Sequence, residues 1–125
     1  MSFMSKIIQI EPINWKEFLG EFAVRNNNRR ARFDVFRLRG GVEQESREEH
    51  LEDILLKADG QAKSVEVIRI DRTNGNAEKK RDVITNVRGI SVQYDTDGSE
   101  NVLEITDDQN TLINLRFESR VDGVS

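Results

Sequence analysis

Residues 90–117, ISVQYDTDGSENVLEITDDQNTLINLRF, decide the fold, because apolar side chains alternate through three short runs separated by two turn signals. Ile90, Val92 and Tyr94 form the first run, Leu103 and Ile105 the second, and Ile113, Leu115 and Phe117 the third. Alternation with period two marks half-buried strands. Asp97-Gly98 reads as a two-residue hairpin turn, which sets Val92 opposite Leu103 and Ile90 opposite Ile105. Asp108-Gln109-Asn110 reads as a three-residue loop with Asn110 left-handed, so that Leu103 meets Leu115 and Ile105 meets Ile113. A two-residue loop would bring Leu103 against Asn114, and burial of one face selects against that slip.

Working outward, residues 31–49, ARFDVFRLRGGVEQESREE, read as a hairpin about Gly40-Gly41. The Gly-Gly pair supplies positive φ. In that register Arg39 faces Val42, Asp34 faces Arg47 and Arg32 faces Glu49, so a basic strand carries its acidic partner with it. Ile54, Leu56 and Ala58 form a further run. Val65 and Val67 begin another, which Ile68 and Ile70 continue on the opposite parity. That switch implies a bulge near Val67 or a strand buried on both faces. A short strand is expected from Asp82 to Val87. Between them lies RTNGNAEKKR, residues 72–81. A tight Asn74-Gly75 turn would oppose Asp71 to Glu78 and Arg69 to Lys80, both like-charge pairs, so a longer mobile loop is expected instead.

One segment has helical period. Trp15, Phe18, Leu19 and Phe22 make a single apolar stripe, predicting a helix over 15–25 that lies on the sheet and stops in Asn26-Asn27-Asn28. Asn14 and Glu17 have the spacing of a capping box, and Ile13 that of a staple onto Phe18. The fold class expected is α+β, mostly β: this helix packed on a twisted antiparallel meander sheet or partly open barrel of seven or eight strands. With 125 residues the chain is a single domain, 1–125, ordered over about 6–118, with residues 1–4 and 119–125 frayed.

Composition narrows the chemistry. The absence of cysteine removes disulfides, thiol nucleophiles and thiolate metal sites. No apolar run approaches the roughly 18 residues of a membrane span, and residues 1–12 lack a signal-peptide layout, so a cytoplasmic protein without membrane contact is expected. The net charge of −4 conceals a basic block, with Arg25, Arg29, Arg30, Arg32, Arg37 and Arg39 against Asp34 alone. Interleaved with phenylalanine, such arginines could hold a nucleic-acid strand or another anion. The candidate anion-binding residues are Arg25, Arg29, Arg30, Arg37 and Arg39. The pI near 5.1 argues against nucleic acid. Asp95 to Glu100 clusters oxygens, but its glycine and glutamate fall at the wrong positions for a calcium loop. His50 stands among Glu48, Glu49, Glu52 and Asp53 without a second histidine to complete a metal set. Lys79-Lys80-Arg81 is a short basic triplet that could touch an anionic partner.

No phosphate loop, nucleophile elbow or cofactor motif is present. The expectation is a non-enzymatic protein-interaction or homodimerisation module without a cofactor, with Phe36 and Leu38 as candidate interface residues. A nucleic-acid or anion-binding module is the first alternative. A small-ligand carrier or enzyme with a cavity site is the second.

The W-K-E-F-L-x-x-F helix after an early strand, the charged hairpin and the closing ENVLEITDDQNTLINLRF together resemble a family of small uncharacterised bacterial proteins. Trp15, Phe18, Phe22, Leu103, Glu104, Ile105, Leu115, Arg116 and Phe117 carry the resemblance, which spans about residues 8–118. It implies a bacterial source and this fold, and no reaction.

Overall fold

The computed structural model describes residues 6–73 and 75–118. In chain order these are β1 (Lys6–Ile10), a helical turn at Pro12–Asn14, α1 (Trp15–Arg25), β2 (Arg30–Phe36), β3 (Val42–Gln44) and β4 (Glu49–Asp59). Then follow β5 (Ala62–Asp71), β6 (Glu78–Ile84), β7 (Val87–Tyr94), β8 (Glu100–Asp107) and β9 (Leu112–Phe117). The nine strands form one antiparallel sheet in the order β1-β7-β8-β9-β2-β4-β5-β6, with β3 added on β2.

Topology forces that sheet to curl. β6 and β7 lie six strand spacings apart in it, about 29 Å if the sheet were flat. Yet only Thr85 and Asn86 join them, three residue steps that reach about 11 Å at most. Asn86 turns the corner in the left-handed region, at φ 54°. The curl brings β5 against β7 without a ladder joining the ends, so the sheet is not closed. One core fills it, contributed by α1 and every strand from β2 to β9 except β3.

The helix has the expected bounds and buries Trp15, Leu19, Phe22 and Ala23. The Trp15 indole N–H donates to the Ile10 carbonyl at 2.9 Å, tying the helix start to β1. The capping box does not form. Asn14 already has helical backbone (φ −100°, ψ 0°) as the end of the preceding turn, whereas a side-chain cap needs extended backbone. Ile13 is 88% exposed and staples nothing. At the other end the chain stops as expected: Asn26 donates twice to the Phe22 carbonyl, and Asn28 is left-handed at φ 71°.

Three of the tight hairpins share one loop. Arg37–Gly41, Asp95–Ser99 and Asp107–Thr111 each enclose three residues, the third being Gly40, Gly98 or Asn110 at φ 90°, 87° and 57°. For Asn110 this is the loop expected, and Leu103 meets Leu115 and Ile105 meets Ile113. For Asp97-Gly98 the loop is one residue longer than expected. A register shift between Gln93 and Tyr94 absorbs the extra residue, so Val92 still faces Leu103 and Ile90 faces Ile105.

For residues 31–49 the expected register is wrong by three. The pairs are Asp34–Gln44, Val35–Glu43 and Phe36–Val42. β3 ends early because Glu45 folds back: its N–H donates to the Phe33 carbonyl at 3.0 Å and its carboxylate accepts the Phe33 N–H at 2.6 Å. Asp34 is answered by Arg32 and Arg116 instead of Arg47.

Residues 72–81 also differ from expectation. β6 begins at Glu78, and the like-charge register is the one adopted, with Asp71 opposite Glu78 and Arg69 opposite Lys80. Asn74 of the supposed turn lies outside the described residues, as do the ends expected to fray. β5 runs without a bulge and is buried on both faces; the irregularity is on β4, between Leu51 and Asp53.

Candidate functional site

A groove of about 440 Å³ opens beside β6, within the size range of ligand sites. Phe33, Val35, Ile84 and Ile113 give it an apolar lining. Four carboxylates, Glu43, Glu45, Asp82 and Asp107, stand around it with one cation, Arg37. Four consecutive residues of the chain, 82–85, line one wall. The first three of them end β6, which is the last strand of the sheet and pairs on one side only.

Behind the groove lies Arg69, with no exposed surface. Its guanidinium holds both oxygens of Glu45, at 2.7 and 3.1 Å, and Asp82 at 3.0 Å. It also donates to the Ala31 carbonyl at 3.1 Å and stacks 4.5 Å from the Phe33 ring centre. Burial disfavours its charge, but Glu45 and Asp82 outweigh that and raise its pKa above the usual arginine value. Burial likewise opposes the charge on Glu45. The bonds from Arg69 and from the Phe33 N–H prevail, and hold its carboxyl below the ordinary glutamate value.

Sequence reasoning gave none of Arg69, Glu45 and Asp82 a place in a site. A signal was present: Val65, Val67 and Arg69 share one parity of β5, which places an arginine on the face of two core valines.

The candidate arginines are spread along the structure and largely engaged. Arg25 binds the Glu100 carboxylate at 3.0 and 2.8 Å, and that bond raises its pKa. Arg29 donates to Asn26 and to the Glu100 carbonyl, and stacks on Phe117. Arg30 lies 3.5 Å from Glu118 and Arg37 3.1 Å from Glu43. Arg39 is exposed on the β2–β3 turn. The structure brings Arg25 and Arg29 together, at a second hollow lined by Tyr94 and Glu100, and separates them from Arg37 and Arg39.

Phe36 and Leu38 are not one outward row. Phe36 is half-buried on the outer face of the sheet, between Val42 of β3 and Leu112 of β9. Leu38, 72% exposed, sits on the turn itself. His50 is partly exposed, its Nδ1 3.1 Å from the Asn28 carbonyl. Glu100 of the oxygen-rich turn is drawn to the helix by Arg25 and Asn26. Lys79, Lys80 and Arg81 face Glu52, Glu49 and Glu66 respectively. The Lys57 bond, with help from Arg81, lowers the pKa of Glu66. Among the described residues no group of three or more His, Cys, Asp or Glu side chains is placed to hold a metal. No helix there is long and apolar enough to cross a membrane.

Comparisons with known proteins leave the geometry to stand alone: no family model, curated protein or solved structure matches the chain. The resemblance drawn from the sequence therefore extends to the layout, an N-terminal helix followed by antiparallel strands, and the family itself is not matched.

Proposed function

We propose that the protein is a non-enzymatic interaction module that pairs with a second copy of itself through the outer face of β2, β3 and β9. One observation carries this reading. Val42, 56% exposed, continues across the ladders onto half-buried Phe36 and Leu112, forming an apolar strip over three neighbouring strands, and Leu38, 72% exposed, stands on the adjoining turn. Continuous apolar surface of this kind marks contact sites more often than scattered apolar residues do.

A two-fold interface must be self-complementary. Here a two-fold axis through the strip sets Phe36 and Val42 of one copy against the same residues of the other, with the exposed Arg39 at the rim on the turn. Edge-to-edge pairing of β3 is the poorer route, because its central residue is Glu43 and like charges would meet. The faces, rather than the edges, make the contact. A cytoplasmic, bacterial setting belongs to the same reading and rests on the sequence alone.

Light scattering coupled to size-exclusion chromatography tests it. The protein should run as a dimer, and Phe36→Glu with Leu38→Glu should run as a folded monomer. A wild-type protein that stays monomeric as concentration rises would refute the reading, as would a doubly substituted protein that remains dimeric.

A further inference from the structure

We infer that the groove beside β6 is a second contact surface, built to take an extended peptide segment carrying lysine or arginine between apolar residues. Three features converge there. The lining is apolar, through Phe33, Val35 and Ile84. The charge is acidic: Glu43, Glu45, Asp82 and Asp107 outnumber Arg37, the buried Arg69 and Lys80, which lies 3.9 Å from Glu45, leaving a surplus of one negative charge around the opening. And the wall formed by residues 82–85 includes the end of β6, a strand with one unpaired edge.

An incoming strand can therefore form main-chain hydrogen bonds along β6, seat alternate apolar side chains and direct its basic side chains to the rim. Apolar lining favours a chain over a bare cation, and the carboxylates favour a basic chain over an acidic one. Arg69 has a positioning role. It holds Glu45 and Asp82 by one oxygen pair and one oxygen respectively, which fixes two of the four rim carboxylates before any ligand arrives. A second copy of this chain is a poor occupant. Its basic strand residues Lys79, Lys80 and Arg81 already face carboxylates of their own chain. The partner is thus a different protein, with a free basic strand or tail.

The probe is a fluorescein-labelled hexapeptide of alternating valine and lysine, titrated by anisotropy against the full chain. Its controls are the valine–glutamate counterpart and lysine amide. The lysine peptide should bind and the glutamate peptide should not. Affinity should fall as salt rises. Glu43→Lys, on an exposed side chain, should weaken binding by about tenfold or more, because like charges then face each other. Val83→Lys, on the outward face of β6, serves as the second folded variant and should also weaken binding, since an edge lysine discourages strand addition. Amide exchange in residues 82–85 should slow on binding. The inference fails if the two peptides bind equally, if neither binds, if lysine amide binds as tightly as the peptide, or if both variants leave affinity unchanged.

Discussion

Across β7, β8 and β9, side chains meet three abreast in apolar rows: Ile90, Ile105 and Ile113, then Val92, Leu103 and Leu115. Across β4, β5 and β6 the corresponding rows are mixed. Leu51 stands beside Arg69 and Lys80, Ile54 beside Val67 and Asp82, and on the other face Leu55 beside Glu66 and Val83. Both halves are antiparallel and both are well buried on the inside. They differ in where each residue finds its partner. In the first half the partner is the residue directly across the ladder. In the second it is often a residue from a third segment: Glu45, which follows β3, satisfies both Arg69 and Lys80. Charged rows can hold a register only when something outside the row neutralises them, so this half depends on the curl that brings β3 over it.

The largest effects should come from breaking that dependence. Arg69→Ala removes a cation of zero exposure and strands Glu45 and Asp82 beside an unfilled space. Loss of one member of a buried ion pair costs about 3–5 kcal/mol, and the partial exposure of both carboxylates puts the expectation near the lower end. Arg69→Met keeps packing volume over Phe33 and should recover part of the loss, but not the part due to charge. Leu103→Ala, at the centre of the apolar half, should cost about 3 kcal/mol by cavity formation. Urea midpoints measure both. The contrast lies in reach: Arg69→Ala should also release Val42–Gln44 to amide exchange, whereas Leu103→Ala should leave that strand protected. Equal protection in the two variants would break the comparison.

The same difference explains what could be read in the sequence. In residues 90–117 the apolar alternation and Asn110 were enough for the central register, because the deciding contacts are between ladder neighbours. Opposing Asp34 to Arg47 across a supposed two-residue turn applied the same logic to charges, and it failed by three residues. Asp34 instead sits among Arg32 and Arg116, the latter from a strand far along the chain. Opposing Arg69 to Lys80 counted against a register that the chain in fact uses, since Glu45, Glu49 and Asp82 neutralise the two cations from outside that pair. The groove was illegible for the same reason. Its walls come from β2, β3, β6 and the β8–β9 turn, and only the curl imposed by the Thr85–Asn86 connection brings them together.

Acidification probes the charged half selectively. Glu45, Glu66 and Asp71 all have folded-state pKa values below their ordinary ones. For Glu66 the first cause is the Lys57 bond, and for Asp71 the hydroxyl and N–H of Thr73. A carboxylate with a depressed folded pKa stabilises the fold above its unfolded pKa, and that contribution is lost as pH falls through the folded value. Thermal stability should therefore drop as pH falls below the ordinary glutamate value of 4.5. Glu45→Gln should lose about 1 kcal/mol near neutral pH, the value of a charge-assisted bond reduced for partial exposure. It should also show a shallower decline on acidification, because one of the three titrating groups is gone. Melting curves from about pH 7 down to about pH 3 test this through their slopes. An unchanged acid slope would mean that Glu45 contributes through geometry and not through charge.

The smallest expected effect lies in the apolar half, at Asn110. Its φ of 57° is a conformation that asparagine tolerates and alanine does not, so Asn110→Ala should cost about 1 kcal/mol. If ladder neighbours alone fix the register there, the strained loop cannot move it. A slip of one residue would bring Leu103 against Asn114, whose side chain belongs to the opposite face. Cross-strand contacts between Leu103 and Leu115, and between Ile105 and Ile113, should therefore persist in the variant, read as nuclear Overhauser effects between their methyl groups. Asn110→Gly should match the wild type in register and approach it in stability, because glycine adopts positive φ without steric cost. Loss of those methyl contacts in Asn110→Ala alone would show that the turn, and not the apolar rows, sets the pairing of β8 with β9.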